Sequence, residues 1–227
     1  METVQNSEEV PPSMQSAATR DKPRRMDGRA LRSERTKQLI IEAYLELLNE
    51  GPEAPTAAQI AKRAGYSVRS VFERFDDLLA LTLAAADYAF AEGLSRTGQR
   101  HLGDTRVQRL RGMVERRSDL FEHLLPLWRV LQSNKNQSEL VRARIGRIRD
   151  TMWTRLALTY GVELACLPEF ERKMLEIALE QLTDFESWAR MRERHGLSVE
   201  QGRDVWIMAI DRLLPPTPPP EAEPATV

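Results

Sequence analysis

The 227-residue chain has one cysteine, Cys166, and three histidines, His101, His123 and His195. A lone thiol closes no intrachain disulfide and makes no thiolate zinc site; it fits a reducing, cytoplasmic compartment. No histidine has a second ligand at metal spacing, so neither metal nor cofactor is expected. An excess of one charge is also missing. With 33 Lys+Arg against 34 Asp+Glu, the total neither demands nor forbids a nucleic-acid partner, and the distribution of charge has to decide. Long apolar runs are absent. The longest, Leu78 to Ala86, stops at Asp87, far short of the roughly 20 residues that span a bilayer, so no membrane segment is expected. The start, Met1-Glu2-Thr3-Val4-Gln5, lacks the basic and apolar regions of a secretory signal. No Gly-rich phosphate loop and no Gly-x-Ser-x-Gly elbow is present, which leaves enzymatic chemistry without support. Alternating apolar and polar residues are missing too, so no sheet is expected and the fold class is all-α.

What is present is uneven charge and strong helical punctuation. Residues 20 to 37 carry eight basic side chains against three acidic ones. The chain up to residue 32 lacks apolar periodicity and reads as disordered, basic toward its end. Five prolines between Pro215 and Pro220 make 215–227 a proline-rich, extended tail. Between them, 33–80 reads as one helical domain and 81–214 as a second.

In the first domain, Ser33 opens a helix with Leu39, Ile40, Ala43, Leu47 and Leu48 inward, which Gly51-Pro52 ends. Thr56 caps a short helix with Ile60, Ala61 and Ala64 inward; Gly65 turns the chain; Ser67 caps a third helix reaching Phe75. Asp76-Asp77 caps a fourth from Leu78. In the second domain, Asp104 opens a helix through Val107, Leu110 and Val114. Ser118 opens another through Phe121 and Trp128, which Pro126 should kink. Ser138 starts the stripe Val141, Ile145, Ile148, Met152 and Leu156. Pro168 opens a long helix, with Phe170, Met174, Ile177, Ala178, Leu182, Phe185 and Trp188 inward, that Gly196 ends. Ser198 and Gln201 form a capping box for the last helix. There Val205-Trp206-Ile207-Met208-Ala209-Ile210 is apolar all round, which requires burial on two sides: against a second subunit, or wholly inside one protomer.

Residues 33 to 81 hold the specific signal. A short helix, a glycine turn and a second short helix against a longer one make a helix-turn-helix, whose third helix can enter a major groove by its exposed start. The alternative is a generic three-helix bundle. The run Thr56-Ala57-Ala58-Gln59-Ile60-Ala61-Lys62-Arg63-Ala64-Gly65-Tyr66-Ser67, followed by Ser70-Val71-Phe72-Glu73-Arg74-Phe75, resembles the DNA-binding signature of the tetracycline-repressor-like (TetR/AcrR) family. The resemblance covers about fifty residues; the rest agrees only in architecture. It implies an N-terminal DNA-binding domain, a C-terminal helical ligand-binding and dimerisation domain, and a homodimeric regulator, usually a repressor, on a two-fold symmetric operator in double-stranded DNA.

Carried over residue by residue, the resemblance implies that Thr56 caps and faces a phosphate. Ser67, Val68, Arg69 and Ser70 form the reading edge, with Arg69 forked onto a guanine and Val68 against a thymine methyl. Arg74, Arg32 and Arg35 hold the backbone; Arg24, Arg25 and Arg29 lie in the minor groove or stay a solvated tail. Phe72 stands where the family usually has Tyr, Leu78 where Lys is usual, and Arg69 where Gly is common. With Glu73, Asp76 and Asp77 nearby, the phosphate clamp is weakened. The implied dimer interface comprises Met174, Ile177, Phe185, Val205, Trp206, Ala209, Ile210 and Leu213.

Met113, Phe121, Trp128, Met152, Trp153, Leu156, Phe185 and Trp188 either line a pocket for a small apolar effector or are ordinary core. Arg142, Arg144, Arg147 and Arg149 read as a solvated face. The function these readings support is a transcriptional regulator released by a small molecule; the alternative is a helical dimeric ligand- or protein-binding module with weak or lost DNA binding.

Overall fold

The computed structural model describes residues 28–51, 54–96 and 105–219, and among them it is helical without a strand. The helices are α1 (Gly28–Glu50), α2 (Ala57–Ala64), α3 (Val68–Phe72), α4 (Leu78–Arg96), α5 (Arg106–Asn134), α6 (Glu139–Thr159), α7 (Gly161–Leu164), α8 (Glu169–Leu182), α9 (Phe185–Ala189) and α10 (Val199–Leu213). A wider π-type turn, Arg190–Arg194, continues α9.

The head forms as its caps dictate. Thr56 and Gln59 close a reciprocal capping box at the start of α2. Gly65, at φ 76°, ends α2, and the Tyr66 N–H reaches back to the Ala61 carbonyl at 2.9 Å. A left-handed residue there costs glycine nothing. Ser67 Oγ accepts the Ser70 N–H at 3.1 Å to start α3, and Asp77 accepts the Ala80 N–H at 2.7 Å to start α4. Ile40, Ile60, Val71, Phe75 and Leu81 bury the inner faces of all four helices. Between α1 and α4 the buried Tyr44 and Thr82 hydroxyls meet at 2.9 Å. Thr82 already donates to the Leu78 carbonyl, so Tyr44 is the donor.

The body is organised on α5, which packs against α1 and α4 of the head and against α6, α9 and α10. The buried residues of head and body make one continuous core. Helix α4 is, among the described residues, the one long and apolar enough to cross a membrane by length and composition. It continues past the Asp87 that the apolar-run count took as a stop. Its Leu81, Ala85 and Ala89 stripe is buried in contact with α1, α5 and α6.

The structure corrects several sequence expectations. Residues 28–32, assigned to the disordered start, are already in α1, because nothing at Ser33 stops the helix; residues 1–27, with Arg24 and Arg25, and the Arg29 side chain lie outside the described residues. Asp104 lies outside them too, and Thr105 caps α5 in a box with Gln108. The two helices expected from Asp104 and Ser118 are one. Ser118 is fully buried; its hydroxyl donates to the Glu115 carbonyl and accepts Arg203 Nε at 2.7 Å. Pro126 sits inside this helix without ending it. The long helix expected from Pro168 to Gly196 breaks at Thr183, because Asp184 takes the Ser187 N–H at 2.6 Å and caps a new helix. Gly196, at φ 62°, does end the segment, and the Leu197 N–H returns to the Met191 carbonyl. The first tail residues, 215–219, are irregular but docked: Arg106 donates to the Asp211, Leu214 and Pro215 carbonyls, and Thr217 donates to Glu163. Pro220 onward lies outside the described residues.

Helices α9 and α10 touch through Gly202. A Cβ there would sit 2.9 Å from Trp188 Cζ3, on a fully buried indole. Gly202→Val is therefore expected to destabilise the protein by about 1–3 kcal/mol through overpacking. Chemical denaturation measures this, and an unchanged midpoint would show that α9 and α10 are not in tight contact.

Candidate functional site

Three surfaces carry chemistry: the outer face of α3, a cavity in the body, and an apolar face on α8 and α10.

On α3 the helical period separates the roles. Val71 is fully buried, while Val68 is 40% and Phe72 45% exposed. The Arg69 side chain is 88% exposed, held by Glu73 Oε1 at 2.9 Å. Ser67 is exposed and its hydroxyl meets that of half-buried Ser70 at 2.9 Å. Thr56, Arg32 and Arg35 are exposed on the neighbouring helices. Arg74 is further in: its Nε–H is buried without an acceptor, and its nearest acid is Glu73 at 3.9 Å. The acids that weaken the expected phosphate clamp have local work, Asp77 as a helix cap and Glu73 as partner to both arginines. Tyr66, given no role by the sequence reading, is exposed beside this face, its hydroxyl oxygen 3.4 Å from Thr36 Oγ1.

The cavity, of about 90 Å³, lies between α5, α6, α8 and α9. Of the eight predicted pocket residues it gathers Phe121, Trp128, Met152 and Phe185. The aromatic ones form a stack: Phe121 to Phe185 at 3.6 Å between centroids, Phe185 to Trp128 at 4.3 Å. Met113, Leu156 and Trp188 are core instead, and Trp153 is half-buried against that core. Trp188 spends its indole N–H on Glu122 at 2.7 Å. The residues missed are mostly polar: Arg117, Arg149, Glu180, Gln181 and Asp184, with Ile148. No hydrophobic pattern finds them. The break after Leu182, which turns Asp184 and Phe185 to one cavity, has as its only sequence sign an aspartate three residues before a serine.

Electrostatically the cavity is mixed. Arg149 pairs with Glu186 at 2.7 Å and lies over the Trp128 ring. Arg144 pairs with Asp87 and donates to the Leu83 carbonyl. Arg149 is exposed, as a solvated face requires, although its acid comes from another helix; Arg144, with 16% of its side chain exposed, does not belong to that face. Arg117 is 5% exposed, over the Phe121 ring, and its Nε–H has no acceptor. Burial pushes its guanidinium down to about 10, against the pull of Tyr160, Asp184 and Glu180. Burial likewise pushes the Asp184 carboxyl up to about 6, although the Ser187 N–H opposes it.

The predicted interface residues divide. Met174 and Ile177 on α8 and Leu213 on α10 are exposed, and Val205 and Ala209 are half-buried. Phe185, Trp206 and Ile210 are buried inside the protomer and cannot touch a partner. They lie on the inward period of their helices, and the all-round apolarity of α10 hid which side that was. Phe170, at 74%, and Met208, at 50% exposed, join the outward face; the inward side of α8 is Leu175, Leu179 and Leu182.

A small helix-turn-helix head on a larger helical body defines an all-α, two-part architecture. No family model matches the sequence, and no curated protein matches it. Solved structures do. A TetR-family transcriptional regulator from Streptomyces coelicolor superposes with a TM-score of 0.65 at 18% identity, over 79% of this chain and 80% of that one. A TetR regulator from Haloarcula marismortui gives 0.63 at 16%, over 79% and 96%. A chain from Saccharomonospora viridis, assigned as a transcriptional regulator and solved with choline, gives 0.64 at 17%, over 80% and 98%. This chain has the fold of the TetR-family transcriptional regulators.

Asp184 generates a pH test. A carboxyl whose folded pKa is raised binds more protons folded than unfolded, so its contribution to stability falls as pH rises from its ordinary value near 4 to about 6. Asp184→Asn keeps the capping oxygen and removes the titration. The stability gap, variant minus parent, is expected to widen in favour of the variant across that window; a flat gap in denaturation at pH 4 to 7 would show that Asp184 is not desolvated.

Proposed function

We propose that the protein is a DNA-binding transcriptional regulator, a homodimer that reads a two-fold symmetric operator and lets go of it when a small effector occupies the body. The observation that carries this reading is the geometry of α3: Val71 anchors it while Val68, Arg69 and Ser70 stand outward on its first turn. The fold shared with solved transcriptional regulators supports it.

Arg69 is the base reader. Its pairing with Glu73 does not block that role. An exposed i,i+4 pair is worth about 0.3–0.5 kcal/mol, whereas a bidentate guanine contact discriminates by about 1–3 kcal/mol. Val68 and Phe72 offer apolar contact to thymine methyls or sugars, and Ser67, Ser70 and Thr56 hydrogen-bond the backbone. Arg32, Arg35 and Arg74 supply cations to the phosphates. A cytoplasmic location follows from such a role.

Occupation of the cavity has a route to the head. Helix α5 lines it with Arg117, Phe121 and Trp128 and also packs on α1 and α4. An effector that favours one placement of α5 favours one placement of both heads, and only some placements match two half-sites on one DNA face. Repression is the regulatory sense that this release supports.

The first test is selection of bound duplexes from a random pool by the full chain. A palindromic preference is expected, with Arg69→Ala losing discrimination at one base pair by about 1–3 kcal/mol. Arg35→Ala should weaken binding to all sequences and reduce the salt slope by about one ion. A pool with no enriched sequence would sink the reading and leave a ligand- or protein-binding module. The second concerns the outward face of α8 and α10. Sedimentation should give a dimer, and Met174→Glu with Ile177→Glu a folded monomer with weakened operator retention. A dimer that survives both charges would move the interface elsewhere.

A further inference from the structure

Taking the cavity as the effector site of the reading above, we propose that its ligand is a flat carboxylate whose anionic end is held by Arg117 and whose body lies on the Phe121–Phe185–Trp128 stack.

Two donors of the cavity wall are left over. Arg117, 95% out of solvent on its 5% exposure, forms no ion pair among the described residues and keeps an unpartnered Nε–H. Trp128, 4% exposed, has an indole N–H without an acceptor. Tyr160 is a third buried donor with no partner. A buried cation without an anion is among the least favourable arrangements a protein can hold, and native interiors pair such groups or use them.

The acids nearby do not fill the gap. Asp184 is committed to the Ser187 N–H, and Glu186 takes Arg149 and Gln132. Glu180 is half-buried on the cavity wall and acts on Arg117 at a distance without bonding to it. The missing group is therefore an acceptor of full negative charge, and the planar fork of a guanidinium matches a carboxylate best. The remaining wall is ring faces with Met152 and Ile148, which suits a flat apolar body. A cationic ligand such as the choline of the Saccharomonospora viridis chain would meet two guanidiniums already lying over the Phe121 and Trp128 rings. A purely apolar effector, which the sequence alone suggested, would bury Arg117 further and leave it unpaired.

The test is thermal unfolding of the full chain with benzoate and 2-naphthoate, their neutral amides, and benzyltrimethylammonium. Carboxylates should raise Tm and bind about tenfold or more tightly than their amides, as loss of a charged hydrogen bond implies. Arg117→Met should abolish the carboxylate shift and raise the Tm of the ligand-free chain, because it removes an uncompensated buried charge. Trp128→Phe, which keeps the ring and loses the N–H, should weaken the shift. The proposal is overturned if no carboxylate shifts Tm, if amides or the ammonium do so equally well, or if Arg117→Met is less stable than the parent. Operator retention with the same compounds separates the two readings. Carboxylates that bind without releasing DNA would leave the ligand class standing and remove the regulatory role. Release by the ammonium alone would do the reverse.

Discussion

Burial of α5 on several sides at once is the constraint on which the rest of the structure depends. Twelve of its residues are buried, and a fully buried large apolar side chain contributes about 1.5–3 kcal/mol. Helix α5 meets α1 and α4 of the head and also α6, α9 and α10 of the body. Because packed interiors are dense, a helix held this way moves as a unit or not at all. The position of α3 relative to the body is therefore set through α4 and α1 by how α5 sits.

Close approach enforces the same constraint. At Gly93 a Cβ would fall 2.3 Å from Leu120 Cδ1, so α4 lies directly on α5. On the far side, Arg203 of α10 reaches Ser118 and Asp119 of α5. A serine inside this helix thus works as a tie between helices, which explains why reading it as a cap failed. Capping is a local signal, and Ser118 has a local bond to Glu115 as well, but the partner that decides its role is 85 positions away.

That difference separates what was legible in the sequence from what was not. Nearly all of the head was legible, since its determinants lie within three or four residues of one another: Thr56 with Gln59, Gly65 with Ala61, Ser67 with Ser70, Asp77 with Ala80. The outward residues of α3 followed from the same local frame. In the body, the capped ends of α6 and α10 were legible for the same reason. The polarity of each face was not. Phe170 and Trp206 are both large aromatics on amphipathic helices, yet one is 74% exposed and the other fully buried. Only the packing partners of α8 and α10 distinguish them. The cavity was half legible. Its aromatic wall stood out, whereas its arginines and acids looked like solvated surface, because charge is usually outside.

That exception links stability to function. Arg144 is largely withdrawn from water, Arg149 is exposed, and each is bonded to a carboxylate; Arg117 is withdrawn further than either and is bonded to none. An apolar residue of similar length at 117 would give up the cation–π contact with Phe121 and would remove a desolvated charge. The arginine is also unnecessary as a structural tie, a role Arg203 and Arg106 fill with short bonds across helices. Local strain of this kind concentrates where a protein binds something. On α5 it sits one helical turn from Phe121 and next to Ser118, where a change in occupancy meets both the aromatic stack and the tie to α10. An anion at this point would neutralise the least favourable charge of the interior, and its binding energy would act on the helix that carries the head.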